Sequence, residues 1–297
     1  MTPSSPPETV GGPTIDPPTL CPKPYHDLFI YYLKGRVQDN PFLNIDDFIG
    51  NWEEEQDTFL FFHAPADSYV AALLDRQPHL QLQDCYEMTY DDWQGGAPAP
   101  FTVGRLQVVP PWDPAAATPS PMTLLLDPGV VFGTGTHPTT HDCLTALHAA
   151  FDRRPVTRVL DIGTGTGLLA LAAAKMGAHA VVAVDLNHLA AATARRNVQY
   201  NRMTHRILVV RADALNFMDP PSDLMISNIH YAVMRRMIAA PGFIGHSQFI
   251  LSGLLRSQAR EIEYQLQRLP IRILGKWERD ATWFTYYGET DARDETG

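Results

Sequence analysis

The sequence predicts an α/β fold with an open, mostly parallel sheet, because apolar strands alternate with helical patterns in its second half. The first of these strands, residues 157–160, passes through Asp-Ile-Gly-Thr-Gly-Thr-Gly at 161–167 into a helical pattern beginning at Leu168. Further strands are expected at 180–184, 207–210 and 223–227. Polar residues follow them closely, namely Asp185, Asp213 and Asn228. Ligands bind at the carboxyl ends of strands in such sheets, so these residues predict a ligand site.

The glycine spacing in the first turn distinguishes between two classes of cofactor. Glycines occupy positions 163, 165 and 167, and they allow the backbone to approach a ligand beside a helix N-terminus. A dinucleotide fingerprint, G-x-G-x-x-G, would require glycine at the position of Leu168. The observed G-x-G-x-G spacing is typical of methyltransferases that use S-adenosylmethionine (SAM). A nicotinamide dehydrogenase is therefore the weaker alternative.

The carboxylates that follow the second and third strands suit an adenosine group. Asp185 lies 22 residues after Gly163, where its two oxygens can accept both ribose hydroxyls. Asp213 follows the third strand, where a carboxylate could meet the adenine amino group. The structural alternatives are a solvated turn or helix cap for Asp185 and an ordinary loop residue for Asp213.

Composition narrows the class of protein further. The chain has 297 residues, enough for more than one domain, and it shows neither an apolar run of membrane-spanning length nor a secretory signal. Three widely spaced cysteines without metal-ligand spacing favour a reducing compartment, so we expect a cytoplasmic protein without a metal. A net charge of −10 argues against nucleic acid as a direct partner and favours a basic protein substrate. We expect a monomer.

Changes in composition along the chain predict its domain organisation. Residues 1–24 are proline-rich and are expected to be a disordered leader. Strands at 28–33, 57–62 and 80–88 and a helix at 66–76 predict a small α+β, ferredoxin-like domain spanning 25–95. A possible strand at 104–109 lies in an expected linker, 96–121. The remaining expectations are a catalytic domain at 122–288 and a frayed tail at 289–297.

A glycine-rich segment, residues 127–140, precedes the predicted sheet. Its three glycines around Phe132 predict a loop that can close over a cofactor, whereas the alternative is a plain connection into a helix. Pro138 fits the first turn of that helix, with Thr136 or His137 as the N-cap.

This segment, FGTGTHPTT at its centre, resembles the PrmA family of ribosomal protein L11 methyltransferases, as do LDIGTGTGLLALAAAKMGA, VAVD, NI and ILSGLLRSQA. The resemblance covers residues 80–288 well and the first domain loosely. It implies a Rossmann-like class I methyltransferase domain, with a mostly parallel seven-stranded sheet, preceded by a small substrate-recognition domain. It also implies methylation of α-amino and lysine amino groups on a ribosomal protein, with SAM as the cofactor.

The resemblance and the motifs together define the candidate site. Cofactor contacts are expected at Phe132, Thr136, Thr140, Asp161, Gly163, Gly165, Gly167, Asp185, Asp213 and Asn228. Asn228 is also expected to orient the acceptor amine, and Tyr231 to pack against the acceptor or the cofactor, with core or surface packing as the alternative for Tyr231.

The sequence departs from the family pattern in two places. N-I-H-Y stands at 228–231 where N-I-L-A is usual, and a lysine-free stretch follows Trp93. His137 and His230 are possible bases, although a helix-start residue and a pocket-wall or surface residue are the preferred interpretations. The runner-up function is a small-molecule N-methyltransferase, marked by a closed pocket capped by Tyr231. A non-catalytic adaptor is a third alternative.

Overall fold

The computed structural model describes residues 20–38 and 45–291, so most of the expected leader lies outside the described residues. Its last residues lie against the protein, where Lys23 pairs with Asp91 at 2.8 Å. No helix within the described ranges is long and apolar enough to cross a membrane.

The first part of the chain forms a four-stranded antiparallel sheet. Its strands are β1 (Asp27–Lys34), β2 (Phe48–Glu54), β3 (Asp57–Phe62) and β4 (Gln81–Thr89). The strand order β2-β3-β1-β4 is that of a ferredoxin-like sheet. Helix α1 (Asp67–Arg76) covers one face, and the short helix α2 (Tyr90–Trp93) follows β4. Strand β2 is not expected from the sequence, because its charged end, Glu53 and Glu54, interrupts the apolar pattern.

A small second sheet connects this unit to the main sheet. It contains β5 (Phe101–Val103), β6 (Leu106–Val109) and β7 (Thr123–Leu125). Leu106, Val108 and Leu124 are buried in the same apolar core as the main sheet. The segment expected to be a linker therefore packs as part of the folded core over much of its length.

The main sheet has seven strands, and its elements alternate with helices along the chain. The elements are α3 (Pro138–Arg153), β8 (Arg158–Ile162), α4 (Leu168–Met176), β9 (Ala180–Asp185), α5 (His188–Tyr200), β10 (Ile207–Arg211), β11 (Leu224–Asn228), α6 (Tyr231–Ala239), β12 (Gln248–Leu255), α7 (Arg256–Leu266), β13 (Ile271–Arg279) and β14 (Trp283–Thr290).

The strand order of this sheet is β10-β9-β8-β11-β12-β14-β13, and only β14 runs antiparallel to its neighbours. Apolar residues of α3, α4 and α5 pack on one face, and those of α6 and α7 pack on the other. The seven-stranded, mostly parallel sheet is thus confirmed, with the ends of β8, β9, β10 and β11 along one edge.

The expected frayed tail, 289–297, starts two residues too early, and residues 292–297 lie outside the described residues. Glu289 and Thr290 end β14, and Glu289 is buried beneath Arg153, Arg154 and Arg272. These arginines hold the pKa of Glu289 near 2, well below its usual value. Acidic composition alone suggested solvation, whereas partners distant in sequence bury the carboxylate.

Candidate active site

The glycine turn adopts the conformation that its sequence predicts. Gly163, Gly165 and Gly167 all have positive φ, at 70°, 54° and 84°, a region that side chains disfavour. A Cβ on Gly163 would lie 2.0 Å from Ile229 Cγ2, and one on Gly165 would lie 2.3 Å from the carbonyl oxygen of Phe132. Both positions therefore require glycine, and the turn presents bare backbone at the strand edge.

Asp185 lies at the end of β9, directly beside this turn. Its carboxylate accepts hydrogen bonds from the backbone N–H of Gly165 at 3.0 Å and of Asn187 at 2.9 Å. Burial raises the pKa of Asp185, and these N–H donors oppose the shift. Each oxygen receives one of these bonds and retains acceptor capacity, so the carboxylate is held in place with room for two hydroxyl donors.

Asp161, at the end of β8, is almost completely buried. Thr164 Oγ1 donates to its Oδ2 at 2.6 Å, whereas Oδ1 has no hydrogen-bond partner among the described residues. Burial raises the pKa of this carboxyl to about 7, and the charge of Asp185 adds to the shift. A buried oxygen without a partner is costly, and a bound donor would remove that cost.

The glycine-rich loop lies on top of the turn. The backbone N–H of Thr166 donates to the carbonyl of Phe132 at 3.1 Å, and Thr166 Oγ1 donates to the carbonyl of Gly133 at 2.6 Å. Phe132 itself remains 46% exposed, with its ring edge-on to His137. The loop is thus seated on the turn, while its movement remains a prediction.

Helix α3 starts at this loop, and its first residues face Asn228. His137 is the N-cap, Pro138 is the first helical residue, and burial lowers the pKa of His137. Asn228 Nδ2 donates to Thr139 Oγ1 at 3.3 Å and to Thr140 Oγ1 at 3.4 Å. The other end of this amide, Oδ1, is buried and lacks a partner in the part of the chain that the structure describes.

Two expected site residues and one possible base make other contacts. Tyr231 begins α6, its ring faces Arg235 at 5.9 Å, and the Glu261 carboxylate on α7 raises the pKa of its phenol. Asp213 is exposed and caps a short 3-10 turn through Leu215 N–H at 3.0 Å. His230 is exposed and is the N-cap of α6. The Tyr231 hydroxyl is buried without a hydrogen-bond partner among the described residues, and the role of Tyr231 at the acceptor remains a prediction.

Sequence analysis missed a buried polar cluster beneath the loop. Asn197 Nδ2 donates to the carbonyls of Asp127 and Thr166, at 2.8 and 2.9 Å, and so joins the loop to the glycine turn. Asp127 pairs with Arg196 at 2.9 Å and accepts from Tyr90 Oη at 2.8 Å. An asparagine at position 197, on the mostly apolar buried face of α5, was the signal that could have revealed this cluster.

An apolar groove of about 620 Å³ lies between the first sheet and the loop. Its walls are mainly apolar, and their ring-bearing side chains are Trp52, Phe59, Phe61, Trp93, Phe132 and His137. Trp93 and Phe132 are 39% and 46% exposed, so the groove is open to solvent. One wall of the groove is formed by loop residues, including Phe132, Gly133 and Thr136.

The strand order, the glycine turn and the acidic residue that ends β9 define a class I methyltransferase, a class that uses SAM. Within this class, the chain belongs to the ribosomal protein L11 methyltransferase (PrmA) family, whose sequence pattern matches residues 53–290. The family resemblance, the fold class and the enzyme class are confirmed, whereas the site residues and domain boundaries remain predictions.

Individual relatives agree with this assignment. The chain is 34% identical over 224 residues to a ribosomal protein L11 methyltransferase of Desulfitobacterium hafniense, covering 73% of this chain and 70% of that protein. It is 36% identical over 166 residues to that of Geobacillus thermodenitrificans, covering 54% and 51%. The crystal structure of a ribosomal protein L11 methylase from Lactobacillus delbrueckii subsp. bulgaricus superposes with a TM-score of 0.57 and 26% identity, covering 66% of this chain and 99% of that one.

Proposed function

We propose that this protein transfers methyl groups from SAM to amino groups of ribosomal protein L11 in the cytoplasm. The observation that carries the proposal is the free, buried end of the Asn228 amide at the end of β11. The relatives' names supply the acceptor. In this proposal residues 25–95 recognise the substrate and residues 122–288 perform the transfer.

The residues at the strand edge fit SAM in charge and shape. Asp185 would accept the ribose hydroxyls, and Asp161 would accept from the methionine amino group through the oxygen that lacks a partner. The bare backbone of the glycine turn would lie beside the nucleoside. The remaining contacts are assigned to Asp213 at the adenine and to Phe132, Thr136 and Thr140 at the methionine part.

SAM, when bound, supplies an electrophilic methyl group, so the protein must present a neutral amine in line with it. A lysine amine titrates near ~10.4 in water, and burial favours its neutral form. Asn228 Oδ1 can accept a hydrogen bond from this amine and so aim the lone pair. Asn228 neither titrates nor carries charge, and it therefore acts by positioning the acceptor.

The small-molecule alternative is not favoured. It required a closed pocket capped by Tyr231, but the groove is open to solvent and Tyr231 does not line it. The relatives described above both carry the name ribosomal protein L11 methyltransferase.

The decisive experiment incubates the purified protein with recombinant L11 and isotope-labelled SAM and locates the label by mass spectrometry. We expect label on α-amino or lysine nitrogens of L11, and none when its amines have been acetylated beforehand. The Asp185→Ala variant, which should bind SAM weakly, is the negative control and should leave L11 with little label. If L11 stayed unlabelled, while a small molecule became labelled when the protein was incubated with a cell extract, the proposed acceptor would be refuted.

A further inference from the structure

The two faces of the first sheet have different surroundings. Residues Tyr31, Leu33, Leu60 and Phe62 face α1 and form a closed apolar core. On the other face, Leu28, Ile30 and Phe61 pack against Val130, Val131 and Leu189 from beyond the first sheet. Trp52 and Phe59 lie half-buried at the edge of this contact, and strand register places Tyr32 on the same face beside Phe59.

Four aromatic side chains, three of them half-buried and one exposed, lie along the border of that contact on the same face. Cross-strand pairing aligns Tyr32 with Phe59 and Phe59 with Trp52, and Tyr86 lies opposite Ile30 on the neighbouring strand. The Tyr32 and Phe59 rings stack with centroids 4.8 Å apart, and Tyr86 is 41% exposed. We call Tyr32, Trp52, Phe59 and Tyr86 the aromatic platform.

The platform lies in a strongly acidic part of the chain. Residues 25–95 contain fourteen Asp and Glu but only three Lys and Arg, whereas the rest of the chain contains nineteen and twenty. This segment therefore carries a formal charge of −11 and the rest of the chain +1, so the segment accounts for the whole net charge of −10. At the platform, Glu54 is exposed two residues after Trp52, on the same face of β2. Asp84 lies opposite Tyr32, and it raises the pKa of the neighbouring Tyr86 hydroxyl.

We propose that the aromatic platform and its acidic border dock a lysine- or arginine-rich segment of the acceptor protein. Aromatic faces attract ammonium and guanidinium groups, and carboxylates beside them strengthen this attraction. Trp52 and Phe59 also line the groove, so a segment docked here leads toward the loop and Asn228. The negative potential would repel a nucleic acid, which could otherwise stack on such a surface. This inference rests on the proposed transfer to a protein.

Two variants and two matched controls test the docking surface. Glu54→Lys and Tyr86→Ala alter the platform side, whereas Asp75→Lys and Tyr69→Ala make the same changes at exposed positions of α1, on the other face. In steady-state methylation of L11 by the full chain, Glu54→Lys should raise KM on the order of tenfold at low salt, and less at high salt. Tyr86→Ala should raise KM by about threefold or more. The KM for SAM and kcat at saturating L11 should stay within about twofold in both.

A direct binding assay separates this inference from the choice of acceptor. A fluorescent peptide of alternating lysine and alanine should bind wild type and both controls, but bind Glu54→Lys and Tyr86→Ala more weakly. If wild type leaves L11 unmethylated, the proposed acceptor is wrong and the peptide alone decides the surface. Equal peptide binding by all five proteins, or tighter binding of a uridine oligonucleotide to the platform, would overturn the docking surface.

Discussion

Removal of the Tyr90 hydroxyl tests whether the first sheet holds the base of the cofactor loop. Tyr90 belongs to α2 and donates to Asp127 Oδ1, the oxygen that also accepts from Gly129 N–H at 2.9 Å. Gly129 begins the loop that reaches Phe132 and the glycine turn. In Tyr90→Phe, Asp127 keeps Arg196 and Gly129 as partners, so its charge stays compensated.

The structure fixes the size of the expected effect. Tyr90 and Asp127 are 1% and 0% exposed, and a hydrogen bond to a charged group contributes about 1.5–3 kcal/mol. We expect urea unfolding to show a loss of this size. The loosened loop base should also weaken SAM binding by about twofold to tenfold, because a smaller fraction of molecules holds the loop in its bound form.

Tyr31→Phe is the matched control. Tyr31 is 2% exposed, and its hydroxyl accepts from the backbone N–H of Ala66 at 2.8 Å within the first sheet's own core. Its removal should cost about 1–3 kcal/mol of stability and leave SAM affinity unchanged. Calorimetry that found the same SAM affinity for wild type and Tyr90→Phe would refute the coupling, even if both variants were destabilised.

Four further outcomes are expected. Asp185→Ala should lower SAM affinity by about tenfold or more in calorimetry, since charged hydrogen bonds are lost, and NAD should not bind; an unchanged SAM affinity would remove Asp185 from the site. Asn228→Ala should keep the fold and most SAM binding but reduce turnover on the order of 10²-fold. This defect should persist at high pH, whereas full rescue there would indicate a role in deprotonation. Hydrogen exchange at residues 132–136 should slow when SAM binds, and equally slow exchange in both states would indicate a static turn. Burial raises the pKa of Asp161 to about 7 in the folded protein, whereas an unfolded Asp titrates at ~3.9. Ionisation therefore leaves stability unaffected below the unfolded pKa and lowers it progressively as pH rises toward 7. Between pH 4 and 7, the free energy of unfolding measured in urea should therefore fall less for Asp161→Asn than for wild type. If it fell equally with pH in both proteins, the raised pKa would be contradicted.

The sequence could identify those site residues whose conformation depends on neighbouring residues in the chain. Gly163, Gly165 and Gly167 were recognisable because a strand that turns into a helix imposes positive φ locally. Tyr231 is a candidate from the N-I-H-Y pattern alone; its ring faces Arg235, and its role at the acceptor remains a prediction.

The sequence by itself determined the class of fold, the glycine turn and the placement of Asp185 and Asn228 at neighbouring strand ends, because periodicity and turn conformation are local properties. Only the tertiary structure decided which distant polar groups meet. Tyr90 reaches Asp127 across 37 residues of chain, and Arg153 reaches Glu289 across 136. No local pattern encodes such contacts, since they form where packed elements leave buried charges that must be paired.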